Sequence, residues 1–249
     1  MDLQELIDLA DPEVTVGIGL TSGDPREREL FDAATFCPVR AYSDAATMLR
    51  DLEAGAISAA ARGSLASSPF LHALHSRLPG VTSRRIALLR LPEGKPFLLG
   101  PVGIDEGGTL NAMRALVRDC REFCSLLGWD PKIAVLSAGR PEDAGRSARI
   151  AGSIKRGERL ASTEPDVRHC HILIEEAAEW SNCIIAPDGV TGNLIYRTLT
   201  HLGSGTSLGA LYFPMSLHLA DTSRVGTLDE YLGAIALANL TIAWRDLGQ

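Results

Sequence analysis

Apolar runs alternate with polar segments along the chain, and their length and spacing predict strands and helices. Short runs rich in β-branched residues predict buried strands, and longer runs with apolar residues at helical spacing predict amphipathic helices. The predicted strands are residues 14–20, 57–61, 85–91, 96–102, 132–136 and 183–186. The predicted helices are residues 26–34, 44–54, 70–77, 110–127 and 228–247, a segment of helical character at 140–159, and a helix that begins at Leu194.

Two of the predicted strands form a hairpin. The runs 85–91 and 96–102 are separated only by Pro92-Glu93-Gly94-Lys95, and Pro96 is tolerated because it begins its strand. The other strands alternate with helices, which is typical of a parallel sheet covered on both faces. We therefore expect an α/β protein whose mostly parallel sheet includes an antiparallel pair.

Three polar segments interrupt the apolar runs between residues 182 and 230. They are residues 188–193 (DGVTGN), residues 221–224 (DTSR) and residues 227–230 (TLDE). The first contains two glycines, which predicts a tight turn between the strand and the helix that flank it. Because loops at the carboxyl ends of parallel strands lie at one edge of the sheet, we expect the three segments to form one ligand site.

The composition limits the kinds of ligand and the cellular location that we expect for the protein. A chain of 249 residues, 45% of them hydrophobic, can bury a substantial core. The formal charge of −7 argues against nucleic-acid or anionic-membrane binding and leaves a small anionic ligand open. Polar residues interrupt the longest uncharged stretch, residues 198–220, and the amino terminus is acidic, so we expect neither a membrane span nor a signal peptide and a cytoplasmic location.

Cysteine and histidine give no strong site signal. Five cysteines without regular spacing fit reduced thiols better than a disulfide framework. His169 and His171 flank Cys170, but adjacent strand residues point to opposite faces and no further pair lies at zinc spacing. We expect no metal site. The six basic residues between Arg140 and Arg159 form either a solvated helix face or a cationic wall that attracts phosphate or a coenzyme tail.

The segment from Pro187 to Arg224 resembles the carboxyl-terminal signature of the phosphate acetyl/butyryltransferase (phosphotransacetylase) family. Residues 100–139 are similar to the same family in their order of strand, turn, long helix and strand. The short chain and the segment 61–68 (ARGSLASS) look like the methanogenesis-marker group, methyltransferase Mtx subunit X. The matched positions are Pro187-Asp188, Gly192-Asn193, Tyr196-Arg197, Gly209-Ala210, Asp221 and Ser223-Arg224.

The resemblance implies the isocitrate/isopropylmalate-dehydrogenase-like fold, with two α/β/α lobes around a cleft. Residues 1–95 plus 189–249 would form lobe one, and residues 96–188 lobe two. The resemblance also implies a homodimer. The helix at 228–247 either forms that interface or packs on the sheet of its own lobe.

The resemblance also implies roles for individual residues. Arg224 would clamp phosphate with its planar guanidinium, Ser223 would donate to an oxyanion or leaving thiol, and Glu230 stands where the family has an acidic residue, a potential base. Coenzyme A or acyl-CoA would be a substrate rather than a permanently bound cofactor. Asp188 and Asn193 either orient substrate or hold a structural turn. The other predicted binding residues are Arg62, Ser64, Gly192 and Asp221.

Departures from the family pattern leave two function classes open. Val225 replaces a glycine, Leu217-His218 replaces a Lys-Pro pair, and His72 stands at an arginine position. One class is a transferase for an acyl, phosphate or methyl-bearing anion. The other is a non-catalytic accessory protein that retains the transacetylase fold, acting with a methyltransferase complex.

Overall fold

The computed structural model describes residues 1–247, with side chains up to residue 243. The strands are β1 (Val16–Gly19), β2 (Val39–Tyr42), β3 (Ala59–Ala61), β4 (Arg84–Arg90), β5 (Pro96–Gly100), β6 (Ile133–Leu136), β7 (Val167–His171), β8 (Cys183–Ile185), β9 (Thr206–Phe213) and β10 (Leu219–Asp221). The α-helices are α1 (Leu3–Ile7), α2 (Glu27–Ala33), α3 (Ala45–Glu53), α4 (Ser67–Arg77), α5 (Leu110–Leu126), α6 (Ala148–Thr163), α7 (Ile174–Trp180), α8 (Gly189–Arg197) and α9 (Leu228–Leu247). Short 3₁₀ segments lie at Pro141–Arg146 and Met215–Leu217, and a π-helical turn lies at Thr198–Leu202.

The chain folds as two compact α/β units. Unit one contains Met1–Ser83 and the chain from Ser207 onward, and unit two contains Arg84–Thr206. The sequence-based boundaries, after residues 95 and 188, fall inside unit two. The difference has a structural reason, because the β4–β5 hairpin stays whole and α8 packs against β5.

The sheet of unit one has the strand order β2-β1-β3-β10-β9. The first four strands are parallel, and β9 runs antiparallel to β10. Helices α3 and α4 pack together over a core that includes Phe70 and Tyr212, whose ring centroids are 5.9 Å apart. The carboxyl ends of β1, β3 and β10 therefore lie along one edge of this sheet.

Helix α9 is buried within its own unit. It packs on β1, β3 and β10 and contacts α1 and α2, and every residue from 230 to 241 is buried. Asn239 joins the helix to the amino-terminal segment, because its side chain accepts from Asp11 N (2.9 Å) and donates to Asp11 O (2.9 Å). Of the two alternatives for this helix, packing on its own sheet is the one observed, and the homodimer stays a prediction.

The sheet of unit two has the order β4-β5-β8-β6-β7. Strands β5, β8, β6 and β7 are parallel, and β4 is antiparallel to β5 as the hairpin predicts. Helix α5 begins after Thr109, whose hydroxyl accepts from Ala112 N (3.1 Å). The predicted class, α/β with a mostly parallel sheet and some antiparallel strands, is confirmed. Across residues 1–247, no helix combines the length and apolar character that crossing a membrane requires.

Some local predictions differ from the structure. The expected turn at residues 188–193 is the start of α8, because Asp188 caps that helix. Helix α4 begins at Ser67, three residues before the predicted start. The segment 140–159 is divided at Ser147, which caps α6. Strands β2, β7, β9 and β10 and helices α1 and α7 were not predicted. In β2 only one of the four residues is buried, so its periodic signal is weak.

Candidate functional site

Three loops meet at the carboxyl edge of the parallel strands of unit one. Residues 21–26 follow β1, residues 62–66 follow β3, and residues 222–226 follow β10. The predicted residues Arg62, Ser64, Asp221, Ser223 and Arg224 all lie in this region. The sheet topology therefore gathers segments that are up to 200 positions apart in sequence, as Arg26 and Gly226 illustrate by their hydrogen bond.

Arg62 is a buried brace between two of these loops. Its side chain is only 6% exposed, and it pairs with the Asp221 carboxylate. The same guanidinium donates to the carbonyl oxygens of Leu65 and Thr222. Two of these interactions join the loop before α4 to Asp221 and Thr222, and the third fixes Leu65 within the loop that carries Arg62. This is a structural use of a residue predicted to bind substrate.

Asp221 is also held inside the protein. Beyond Arg62, its carboxylate accepts from the Tyr212 hydroxyl (3.3 Å) and from Thr222 N (3.0 Å). Thr222 in turn donates its hydroxyl to Gly63 O (2.9 Å). A buried carboxylate with this many donors is a satisfied polar group, so it fixes the loop that carries Ser223 and Arg224.

Ser64 connects the loops after β1 and β3. Its hydroxyl oxygen accepts from Thr21 N (2.9 Å), and its own N–H donates to Gly19 O (2.9 Å). The side chain is buried. Like Arg62, this predicted binding residue forms hydrogen bonds that hold two loops together.

Asp24 and Arg26 belong to the same edge and were missed by the sequence reasoning. Arg26 binds the Asp24 carboxylate through Nε (2.9 Å) and Nη2 (2.8 Å), and this pairing holds the pKa of Asp24 well below its ordinary value. Arg26 also donates to Gly226 O (2.8 Å) and Arg224 O (3.0 Å). The available signal was their position directly after a buried strand, at the edge where ligands bind.

Glu230 contacts the loop after β10, residues 222–226, from the start of α9. It is buried near the start of α9, and its Oε1 accepts from Ser223 N at 2.6 Å. Thr227 acts as the helix cap, because its hydroxyl oxygen accepts from Glu230 N (3.3 Å). The carboxylate therefore positions Ser223 through its backbone.

Arg224 differs from the other predicted residues because it is exposed. Among the described residues, none forms an ion pair or hydrogen bond with its guanidinium. Its carbonyl, however, is fixed by Arg26 and by the Tyr231 hydroxyl (3.4 Å). The backbone is anchored while the charged side chain remains available to a ligand.

The amino end of α4 completes this edge. The helix has 11 residues, and its capping position is Ala66, whose side chain offers no hydrogen bond to the first turn. Ser67 and Ser68 follow directly. Unsatisfied N–H groups at a helix start attract anions, and Arg62 ties the preceding residue, Leu65, to the loop of Arg224.

The predicted residues Asp188, Gly192 and Asn193 lie in unit two, where they dock α8 on a loop. Asp188 Oδ1 accepts from Thr191 N and from the Thr191 hydroxyl, both at 2.8 Å. Asn193 Nδ2 donates to Val102 O at 2.8 Å. These bonds favour the structural alternative for this motif.

The glycines of the motif are required by that close docking. A Cβ atom on Gly192 would lie 1.9 Å from Pro101 O, and one on Gly189 would lie 1.6 Å from Gly103 O. The Asp188 carboxylate keeps one outward contact, an Arg149 guanidinium at 3.8 Å that is 83% exposed.

No family model matches the chain. A search of curated proteins finds a "Putative methyltransferase mtx subunit X" of Methanosarcina barkeri, 40% identical over 187 residues, which cover 74% of this chain and 68% of that protein. The Methanosarcina mazei protein of the same name is also 40% identical, with 66% of its length covered. The "Uncharacterized methyltransferase MK0941" of Methanopyrus kandleri is 33% identical, with 80% of this chain and 81% of that protein covered. The match thus spans about two thirds of the Methanosarcina relatives.

Solved structures show the same fold at low identity. A branched-chain phosphotransacylase from Enterococcus faecalis superposes with a TM-score of 0.68 at 18% identity, covering 92% of this chain and 99% of that chain. A phosphotransacetylase from Streptococcus pyogenes gives a TM-score of 0.65 at 15% identity, covering 98% of this chain and 100% of that chain. The phosphotransacetylase-like α/β fold that the resemblance implies is confirmed.

Proposed function

The chain belongs to the methyltransferase Mtx subunit X family and has the phosphotransacetylase fold, and from these premises we propose that it is a transferase for a small anionic substrate. The substrate carries an acyl, phosphate or related group, with coenzyme A or acyl-CoA as the second substrate. The relatives described above come from Methanosarcina and Methanopyrus, which supports a role linked to methanogenesis.

One observation carries the proposal. An exposed arginine on an anchored backbone, Arg224, stands at the same sheet edge as the uncapped amino end of α4, and Arg62 braces the two loops together. A guanidinium makes paired hydrogen bonds to phosphate oxygens, and the helix start supplies N–H donors and a positive dipole end. Both features favour a phosphate or carboxylate group.

The proposed chemistry follows from these groups. In acyl transfer, a thiolate sulfur bonds to the acyl carbon of an acyl phosphate while the carbon–oxygen bond to phosphate breaks. The phosphate leaves with that electron pair, and Arg224 stabilises the charge it gains. The Ser223 hydroxyl donates to the oxyanion that forms on the acyl oxygen. Glu230 acts as a positioning residue, since its carboxylate is committed to Ser223 N.

A second candidate is a non-catalytic accessory protein of a methyltransferase complex. The observation that favours it concerns the two acidic residues predicted for this edge. Asp221 and Glu230 are buried, and their carboxylates accept hydrogen bonds that hold the loop after β10. Neither is an open general base for the thiol proton. In this case the same edge would bind an anionic ligand without turnover.

Calorimetric titration tests the proposal. The ligands are coenzyme A, acetyl-CoA, acetyl phosphate, inorganic phosphate and S-adenosylmethionine, each added to the wild type and to Arg224→Ala. The matched control is Arg28→Ala, which removes an arginine that is 95% exposed on α2 of the same unit. We expect Arg224→Ala to weaken binding about tenfold or more, with Arg28→Ala unchanged.

Release of the coenzyme A thiol from acetyl-CoA and phosphate separates the two candidates. Turnover that Arg224→Ala abolishes supports the transferase, and binding without turnover supports the accessory protein. If the wild type and Arg224→Ala had equal affinity for every ligand, Arg224 would not be part of the binding site.

A further inference from the structure

Two buried nitrogen atoms in unit two have no hydrogen-bond partner among the described residues. They are Arg156 Nε on α6 and His171 Nδ1 at the end of β7. Buried polar groups are nearly always paired, and an unpaired donor in the interior is costly. Two such atoms on adjoining elements therefore require an explanation.

Both residues belong to elements that pack together, since α6 carries Arg156 and β7 ends at His171. The ring centroid of His171 is 4.1 Å from that of His169. Helix α6 presses on His169, since a Cβ atom on Gly157 would lie 2.5 Å from His169 Nε2. Arg156 directly precedes Gly157 in the chain, so it lies beside the helix position that contacts the histidine pair.

The Arg156 side chain extends toward the sheet edge at the carboxyl ends of β6 and β7. Its Nη1 lies 3.5 Å from the Cβ position of Gly152, one turn earlier on α6, so the side chain runs toward the amino end of that helix. In a parallel β6-α6-β7 crossover the amino end of the helix lies at the carboxyl ends of the strands. His171 is the last residue of β7 and lies at that edge.

His169 is already committed to a neighbour. The Ser137 hydroxyl donates to Gly139 O (2.9 Å), so its oxygen accepts from His169 Nε2, also at 2.9 Å. Burial, and secondarily His171, lowers the pKa of His169 to about 4. His169 is thus a neutral support for His171. His171 itself has φ of 55°, a left-handed conformation that non-glycine residues adopt rarely and often at functional positions.

We propose that Arg156 and His171 form a binding site for a small oxyanion at the β6–β7 edge of unit two. Arg156 Nε can only donate, so its partner must be an acceptor, and an Nδ1–H tautomer of His171 donates to the same oxyanion. The Arg156 guanidinium carries a permanent positive charge, which favours an anion over water as its acceptor. The observations that support this site all come from unit two, and none of them involves Arg224 or the proposed function.

The test uses inorganic phosphate and acetate, which distinguish a phosphate from a carboxylate ligand. Histidine ring resonances of the full chain are followed by NMR during titration, in the Arg224→Ala background to remove binding at the other unit. We expect the His171 and His169 resonances to shift saturably with at least one of the two anions, while those of His72 and His201 do not.

Single substitutions test whether Arg156 and His171 bind the anion. Arg156→Gln is expected to weaken binding about tenfold or more, while Arg159→Gln, which removes the same charge from the exposed face of α6, changes it less than about twofold. His171→Asn tolerates the left-handed backbone and weakens binding to a similar extent as Arg156→Gln. Unshifted His171 resonances with both anions, or equal losses for Arg156→Gln and Arg159→Gln, would overturn the proposal. The NMR result holds even if a variant fails to fold.

Discussion

Replacement of Arg62 by methionine removes the brace between the loops after β3 and β10. We expect the free energy of unfolding to fall by about 3–5 kcal/mol, the usual cost of deleting one partner of a buried ion pair. Methionine keeps the unbranched stem and a similar volume, so the change isolates the guanidinium. The fold of the remaining core is expected to survive.

The magnitude follows from what remains around Asp221. Its side chain is 9% exposed. The Tyr212 hydroxyl and Thr222 N, which remain without Arg62, are neutral donors, so a buried negative charge loses a positive partner. The carbonyls of Leu65 and Thr222 also lose a charged donor. At about 2–4 °C per kcal/mol for a chain of this size, the melting temperature should fall by roughly 6–20 °C.

Urea denaturation followed by circular dichroism measures the effect. The control is Arg224→Met, the same substitution at an exposed arginine of the same edge, which should change stability by no more than about 0.5 kcal/mol. The double variant Arg62→Met with Asp221→Leu should recover part of the loss, since removing both partners leaves no unpaired charge.

A loss below about 1 kcal/mol for Arg62→Met, or equal losses for Arg62→Met and Arg224→Met, would refute the reasoning. Arg62 would then be free for the substrate role predicted from the sequence.

Two further predictions concern unit two. Gly192→Ala should destabilise the protein by about 1–3 kcal/mol or more, because its Cβ would lie 1.9 Å from Pro101 O, whereas Gly145→Ala, with nothing within 4 Å, should not; thermal melting of both variants checks this, and equal melting temperatures would contradict it. The folded pKa of His169, about 4, lies below its unfolded value of about 6.5, so the unfolded state binds more protons between these values and stability is lost as pH falls from 6.5 toward 4. His169→Gln should flatten that part of the profile of unfolding free energy against pH, and a parallel profile would disprove the assignment.

Much of the fold could be predicted because local patterns were unambiguous. The hairpin followed from two apolar runs joined by Pro92-Glu93-Gly94-Lys95, and α5 from helical spacing over residues 110–127. Parallel topology predicted that residues 221–224 lie at a ligand edge, whereas Arg62 and Ser64 in the loop after β3 were assigned to the site by the family resemblance. Strand β2 was missed because a short, mostly exposed strand carries little periodic signal.

The roles of individual site residues could not be predicted in the same way. A motif identifies Arg62 as basic, but only the structure shows its pairing with Asp221, 159 positions away. Asp24 and Arg26 gave no site signal in the sequence because two partners of Arg26, the carbonyls of Arg224 and Gly226, are distant in the chain. In residues 188–193 the glycines suggested a ligand turn, whereas they allow α8 to approach the loop at 101–103.

The central claim is that an anion binds at the edge where Arg224 and the amino end of α4 lie. A crystal structure of the protein with acetyl phosphate tests it most directly. We expect a phosphate group bound by the Arg224 guanidinium and by the backbone N–H groups of Ser67 and Ser68. A ligand bound elsewhere, with the Arg224 side chain in contact with solvent alone, would contradict it.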